Sequence, residues 1–255
     1  RGVGFGLVCD VGEIEGQRIP LLRRIIRTNQ KDRSETKLKA DTLRWVKQHL
    51  DDNEVAIIDA GVELRDMHQM NMPRYVIRLA LNCTARRNYL PAYTGRGCRP
   101  KWGDKVRPLP RTYQEKAIEA TPPDKCETFL FEGREIEAHG WSDLILPTCK
   151  PGEATATFTI WVFFDPLHKT PLVLGTNLAR AQPLTIFCLY LDRWPVEQIP
   201  LAAKQMLGLH RQFVFAPESC NRLPELAFLL GNILTYLAEI GRASCRKECR
   251  SRWSP

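Results

Sequence analysis

Four polar residues near position 200 stand at a spacing that suits chemistry. Tyr190, Arg193, Glu197 and Lys204 follow the pattern Y-x2-R-x3-E-x6-K. At about 100° per residue, an α-helix begun at Tyr190 would carry the other three within about 60° of it, so all four would project from one stripe. An acid held among two cations and a phenol fits phosphodiester chemistry. The carboxylate helps hold Mg²⁺, while the arginine, the lysine and the hydroxyl grip phosphates on either side of the scissile bond. The bland alternative is an amphipathic surface helix with an ordinary Arg193–Glu197 i,i+4 pair. Pro200 predicts a kink three residues after Glu197 and makes Lys204 the weakest placement of the four.

A second acid stands at the end of a strand. Val55, Ala56, Ile57 and Ile58 form an unbroken apolar run that suits a central strand covered on both faces, and it delivers Asp59 at its C-terminal end, where open α/β sheets place ligands.

The elements that must position these residues can be traced from the beginning. Apolar and β-branched runs predict strands over 4–13 and 18–27, with Gly16 supplying the turn. A helix follows from Ser34 to Asp51, then the strand ending at Asp59, a short helix, and a strand over 74–79. From Thr84 the character changes. Arg86, Arg87, Arg96, Arg99, Lys101, Lys105, Arg107 and Arg111 are interleaved with Tyr89, Tyr93 and Trp102, which reads as a basic loop. Its cations suit phosphates, and Trp102 or Tyr93 suits stacking on an unpaired base. Strands are expected over 126–131, 136–145, 154–164 and 171–176, and an apolar helix over 223–238. Trp194 reads as a core residue. The fold class is α/β: a mixed sheet flanked by helices, formed by 1–83 and 166–238, with a mostly-β subdomain inserted over 84–165.

Composition narrows the setting. The 255 residues carry a formal net charge of +8. Residues 239–255 resemble a translated sequencing adapter and are set aside, including the pair Cys245 and Cys249. That stretch holds five Lys/Arg against two acids, so the remainder is still basic, which permits a polyanionic partner. Seven further cysteines show no C-x2-C pairing, which points to free thiols in a reduced, cytoplasmic setting. The longest apolar stretch, 226–238, is too short to span a bilayer and contains Asn232. The opening at Arg1, without methionine, reads as an internal start.

The Tyr-Arg-Glu-Lys spacing resembles the signature of bacterial insertion-sequence transposases of the three-carboxylate type, whose catalytic domain is RNase H-like. The run Pro171 to Leu178 resembles the strand before the signature helix. Ile57-Ile58-Asp59-Ala60-Gly61, with Arg74 to Leu79, resembles the region of the second catalytic aspartate. The resemblance spans nearly all of residues 4–238. It implies Asp59 and Glu197 as the second and third metal-binding carboxylates, and Tyr190, Arg193 and Lys204 as contacts to transposon-end phosphates. Mg²⁺, with Mn²⁺ as a substitute, DNA ends and target, and a homodimer on DNA are implied in the same way. So is a first aspartate in a strand upstream of residue 1, which would leave this fragment inactive in cleavage; Asp10 is the one stand-in within the sequence. Two other functions compete: a non-catalytic DNA-binding remnant of a mobile element, and a nuclease on the same fold.

Overall fold

The computed structural model describes residues 4–14, 16–27, 34–59, 61–154, 156–209 and 216–252, the last fourteen of them by backbone alone. The chain divides into two units. One comprises residues 47–190, the other 1–46 with 191–255.

The 47–190 unit is built on an eight-stranded mixed sheet. In chain order its strands are β3 (Ala56–Ile58), β4 (Tyr75–Arg78), β5 (Ala85–Arg87), β6 (Lys105–Val106), β9 (Lys125–Phe131), β10 (Arg134–Ile145), β11 (Phe158–Phe164) and β12 (Leu172–Thr176). The order across the sheet is β3-β4-β12-β11-β10-β5-β6, with β9 also paired to β10. Among the described residues only β3 and β4 run parallel, joined by helix α2 (Leu64–Gln69), as a parallel pair requires a crossover. The short β7 (Arg111–Tyr113) and β8 (Lys116–Ile118) form a separate hairpin. Strands β5 to β7 lie inside the stretch that reads as a basic loop, and β8 follows it. The apolar run before Asp59 was expected in mid-sheet, but β3 is a terminal strand, with no described strand on its outer side.

Alternation along β11 explains its central place. Phe158, Ile160 and Val162 pack on one face with Trp141, Leu144 and Val173. Trp161 and Phe163 turn to the other, against Ile136, Leu174 and the helix α3 (Pro183–Leu191) through Ile186, Phe187 and Tyr190. Both faces are therefore covered, which a near-continuous apolar strand demands. Gly140 stands opposite Trp161 in the β10–β11 register, and a Cβ there would come within 2.6 Å of the indole; the missing side chain gives that ring its room.

Strand β10 changes neighbour partway. Residues 134–140 pair with β9, and past an irregularity between Trp141 and Leu144, with Asp143 at φ 50°, Leu144 and Ile145 pair with β5. The corner is held by Asp124. Its carboxylate takes a bidentate pair from the Arg87 guanidinium and a bond of 2.9 Å from the Ser142 amide. Burial opposes the charge on Asp124, yet the Arg87 and Ser142 donors hold its carboxyl below the ordinary range.

His68, in the last turn of α2, lies 3.3 Å through Nε2 from the Tyr75 hydroxyl and edge-on to Phe158. Burial lowers its pKa from the usual 6.5. Its neutral form is therefore favoured by folding. The associated stability is fully present above the unfolded pKa and is lost as pH falls through the lower folded value. The melting temperature of the unit is expected to drop between pH 7.5 and pH 5.5, and less so in His68→Asn. Identical pH profiles for the two proteins in thermal melts would refute this assignment.

The other unit holds a hairpin of β1 (Phe5–Ile14) and β2 (Gln17–Arg27), with Gly16 at φ 78° in its turn. It was expected to join the mixed sheet; instead β1 and β2 form a two-stranded sheet of their own. Its apolar side, with Phe5, Leu7, Leu22 and Ile25, packs on α4 (Gln198–Gln205) and α5 (Pro217–Arg252) through Ile199, Ala203, Ala227 and Phe228. Asn232 explains how β2 manages without a third strand there. The buried side-chain amide donates to the Pro20 carbonyl at 2.6 Å and accepts from the Leu22 amide at 3.1 Å, satisfying two groups that a further strand would have bonded. Helix α1 (Glu35–His49) follows β2 as expected from the sequence. The stretch 239–255 continues α5 as far as Arg252. Its last three residues, and the side chains of Cys245 and Cys249, lie outside what is described.

Candidate active site

Asp59 follows β3 directly. The parallel register sets Ile58 beside Ile77, so the next residue of each strand, Asp59 and Arg78, are neighbours; Arg78 Nη1 lies 3.7 Å from Asp59 Oδ1. The same oxygen accepts a 3.0 Å hydrogen bond from the Tyr190 hydroxyl, 131 residues away in sequence. Tyr190 sits in the last turn of α3 with its ring buried in the core beneath the sheet and its polar tip on the carboxylate. The strand-end acid and the tyrosine of the spacing motif, read from the sequence as separate signals, thus meet within one unit. Sequence reasoning missed Arg78 as a partner of Asp59, although the parallel pairing of the two strands is a sufficient signal for it.

The rest of the motif belongs to the other unit and does not form one helical stripe. Helix α3 begins seven residues before Tyr190 and ends at Leu191. A 3-10 turn, Trp194–Glu197, follows, and α4 starts at Gln198. The cause is Pro195, which has no N–H for the Leu191 carbonyl and whose ring would crowd it. Pro200 falls in the first turn of α4, where a missing N–H costs no intrahelical bond. The expected kink at Pro200 is thereby replaced by a break one turn after Tyr190.

Arg193 Nη1 and Glu197 Oε1 are 2.7 Å apart, the i,i+4 pair that either reading of the motif allows. Glu197 is half-exposed and Lys204, in the last turn of α4, is exposed. Asp192 is bound by Arg18 at 2.9 Å. Trp194, expected in the core, is 61% exposed. Asp10 lies in β1, paired with Arg23 at 3.3 Å.

Each unit therefore holds one of the two motif carboxylates, and each of these already faces an arginine. Among the described residues no three His, Cys, Asp or Glu side chains gather at metal-binding distance. A two-ion centre takes several oxygen ligands, including bridging carboxylates, so the donor set within either unit does not fit one.

The basic loop is less available than its composition suggests. Arg86 donates to the Pro147 and Gly103 carbonyls, Arg87 to Asp124, and Arg111 to the Asn82 carbonyl. These three arginines are structural. Trp102 is covered by cations, with Arg86 at 5.0 Å and Lys150 at 5.9 Å from its ring centre, and Arg99 stands over Tyr93 at 5.7 Å. Arg96, Arg99, Lys101 and Lys105 remain exposed. An open cleft of about 500 Å³ lies elsewhere, lined by Glu135, Glu137, Asp165, His168 and Lys169; its acids do not suit a polyanion, and none of the motif residues lines it.

The seven cysteines from Cys9 to Cys220 are free thiols, and burial, with Asp10 adding to it, pushes Cys9 up to about 12. Among the described residues no helix is long and apolar enough to cross a membrane. Compared with known proteins, the chain matches neither a family model nor a curated sequence.

Proposed function

We infer that this chain comes from the RNase H-like catalytic core of a DNA transposase, an enzyme that cleaves transposon ends and transfers strands to target DNA, and that with only two of the three metal-binding carboxylates it is inactive in cleavage on its own. The observation that carries the reading is the hydrogen bond from Tyr190 to Asp59. It joins the tyrosine of the Tyr-Arg-Glu-Lys spacing to the strand-end aspartate, the two positions that the resemblance ties to one site. The mixed sheet, with a carboxylate at the C-terminal end of a strand and exposed cations at Arg96, Arg99, Lys101 and Lys105, is compatible with it.

In this reading Asp59 and Glu197 are the metal-binding acids, Mg²⁺ is the cofactor with Mn²⁺ as its substitute, and Tyr190, Arg193 and Lys204 serve the DNA. Arg78 and Tyr190 hold the Asp59 carboxylate in place and neutralise part of its charge, which lets a phosphate approach it. DNA is the partner, gripped by two copies of the protein.

One observation favours a second reading, a DNA-binding remnant without catalysis. Both motif acids are paired with arginines, and among the described residues neither unit supplies a multi-carboxylate cluster. Titration of the whole chain with Mn²⁺, followed by calorimetry, separates the two. The transposase reading expects binding that weakens by about tenfold or more in both Asp59→Asn and Glu197→Gln, together with retention of duplex DNA that falls steeply as salt rises. Mn²⁺ binding that is absent, or indifferent to both substitutions, sinks the transposase; loss of DNA retention as well sinks both readings.

A further inference from the structure

The cleft of the 47–190 unit takes no part in the motif chemistry. About 500 Å³ in volume, it lies where β9, β10 and the end of β11 meet the connection from β11 to β12. That size falls within the range of small-molecule sites. Its walls are fixed in advance. Asp165, nine-tenths buried, accepts from the Arg134 guanidinium through both oxygens at 3.2 Å and from the Leu167 amide at 2.9 Å. The His168 amide closes the turn on the Asp165 carbonyl at 2.9 Å. On the sheet side Glu137 is engaged with His139 at 2.6 Å, and that ring stands edge-on to Phe164. Walls that are already bonded need little ordering when a ligand enters, which lowers the cost of binding.

Beside these committed groups stand three that are not. The Glu135 carboxylate, the Lys169 ammonium and the His168 ring line the same cleft, are exposed, and make no hydrogen bond or ion pair among the described residues. Glu135 and Lys169 thus carry opposite charges in one recess without pairing with each other. Asp165 Oδ2, which receives Arg134 alone, keeps a lone pair for a further donor. Phe164, Pro166 and Pro171 supply apolar surface between them. A simple cation entering the cleft meets Lys169, and a simple anion meets Glu135 and Glu137. A molecule bearing both charges finds an opposite charge for each.

We propose that this cleft binds a small zwitterion, an ammonium and a carboxylate joined by an apolar body, as in a short peptide with free ends. The ammonium goes to Glu135, with Asp165 as its second acceptor. The carboxylate goes to Lys169 and His168, and the apolar side chains lie on Phe164 and the prolines. The inference stands apart from the transposase reading, because it needs neither DNA nor metal.

NMR chemical-shift titration of the full chain tests it, using the dipeptide Leu-Leu, its N-acetyl derivative and its C-terminal amide. The free dipeptide is expected to bind and to move the amide signals of 164–169. Loss of either end charge should weaken binding by about tenfold, the worth of one charge-assisted hydrogen bond. Glu135→Gln and Lys169→Gln replace exposed side chains and should keep the fold. Glu135→Gln is expected to weaken the dipeptide and the amide by about the same factor and to leave the acetylated form unchanged. Lys169→Gln should weaken the dipeptide and the acetylated form and spare the amide. A dipeptide that does not bind overturns the proposal. So does an amide that binds as tightly as the free dipeptide, which marks a plain cation site, and so do variants that fail to sort the ligands by their missing end.

Discussion

Gly103→Ala is expected to destabilise the 47–190 unit by at least about 4 kcal/mol, in the exceptional range for a single methyl group. The reason is the nature of its neighbours. A Cβ at Gly103 would overlap the Arg87 carbonyl oxygen and lie 2.9 Å from its carbon and 3.0 Å from the Tyr89 oxygen. All three are backbone atoms, which cannot swing aside as a flexible side chain can. The same turn is fastened from both directions, by the Arg87 amide to the Asp104 carbonyl at 2.9 Å and by the Arg86 guanidinium to the Gly103 carbonyl at 2.8 Å. Making room for a methyl would pull β6 from β5 and open the buried contact of Val106 with Ala85. Urea titration should show a lower midpoint, and limited proteolysis should show new cleavage over 88–104. A variant as resistant as wild type in both assays would mean that the loop adapts more easily than these contacts allow.

The second large effect is expected at Phe163→Ala. Phe163 is wholly buried, stacked on Trp161 and in ring contact with Phe129 and Phe187 at 6.2 and 5.2 Å. Replacing it leaves a cavity that rigid aromatic neighbours cannot fill, at a cost of about 3–5 kcal/mol. For a unit of this size that lowers the melting temperature by on the order of 10 °C. The consequence should reach the candidate site, because Phe187 and Tyr190 belong to the same cluster and the same helix. If the transposase reading holds, Mn²⁺ binding by the variant well below its melting temperature should weaken in parallel. A stability loss below about 1 kcal/mol would show that the cluster repacks.

Much of the sheet was legible because its strands carry their signals locally. The β11 run Phe158 to Phe164 and the β12 run Leu172 to Thr176 are apolar on both faces, and only strands covered on both sides tolerate that. The end of β3 just before Asp59 was legible from where its apolar run stops. What escaped was set by distant partners or by proline. The single-stripe helix failed at Pro195, where one absent N–H outweighs a favourable angular spacing. Strand β3 reads as central since its own residues do not say whether a neighbour exists on each side. That β1 and β2 form a two-stranded sheet of their own was not legible either, since the residue that bonds the Pro20 carbonyl and the Leu22 amide, Asn232, stands more than 200 residues later. Composition also overstated the basic loop, as it counts arginines without showing that Arg86, Arg87 and Arg111 are committed to carbonyls and to Asp124.

The small β7–β8 hairpin has a closed base. Thr121 donates its amide to the Arg107 carbonyl at 2.8 Å, and its hydroxyl accepts from the Arg107 amide at 3.0 Å. Past that clasp most side chains from Arg111 to Ile118 point to solvent, and the tip at Gln114 and Glu115 turns with φ of 47° and 61°. Such a tip is mechanically insulated: its length and residue types can drift over generations, or accept a grafted epitope, while the clasp keeps the disturbance from travelling down into the folded body.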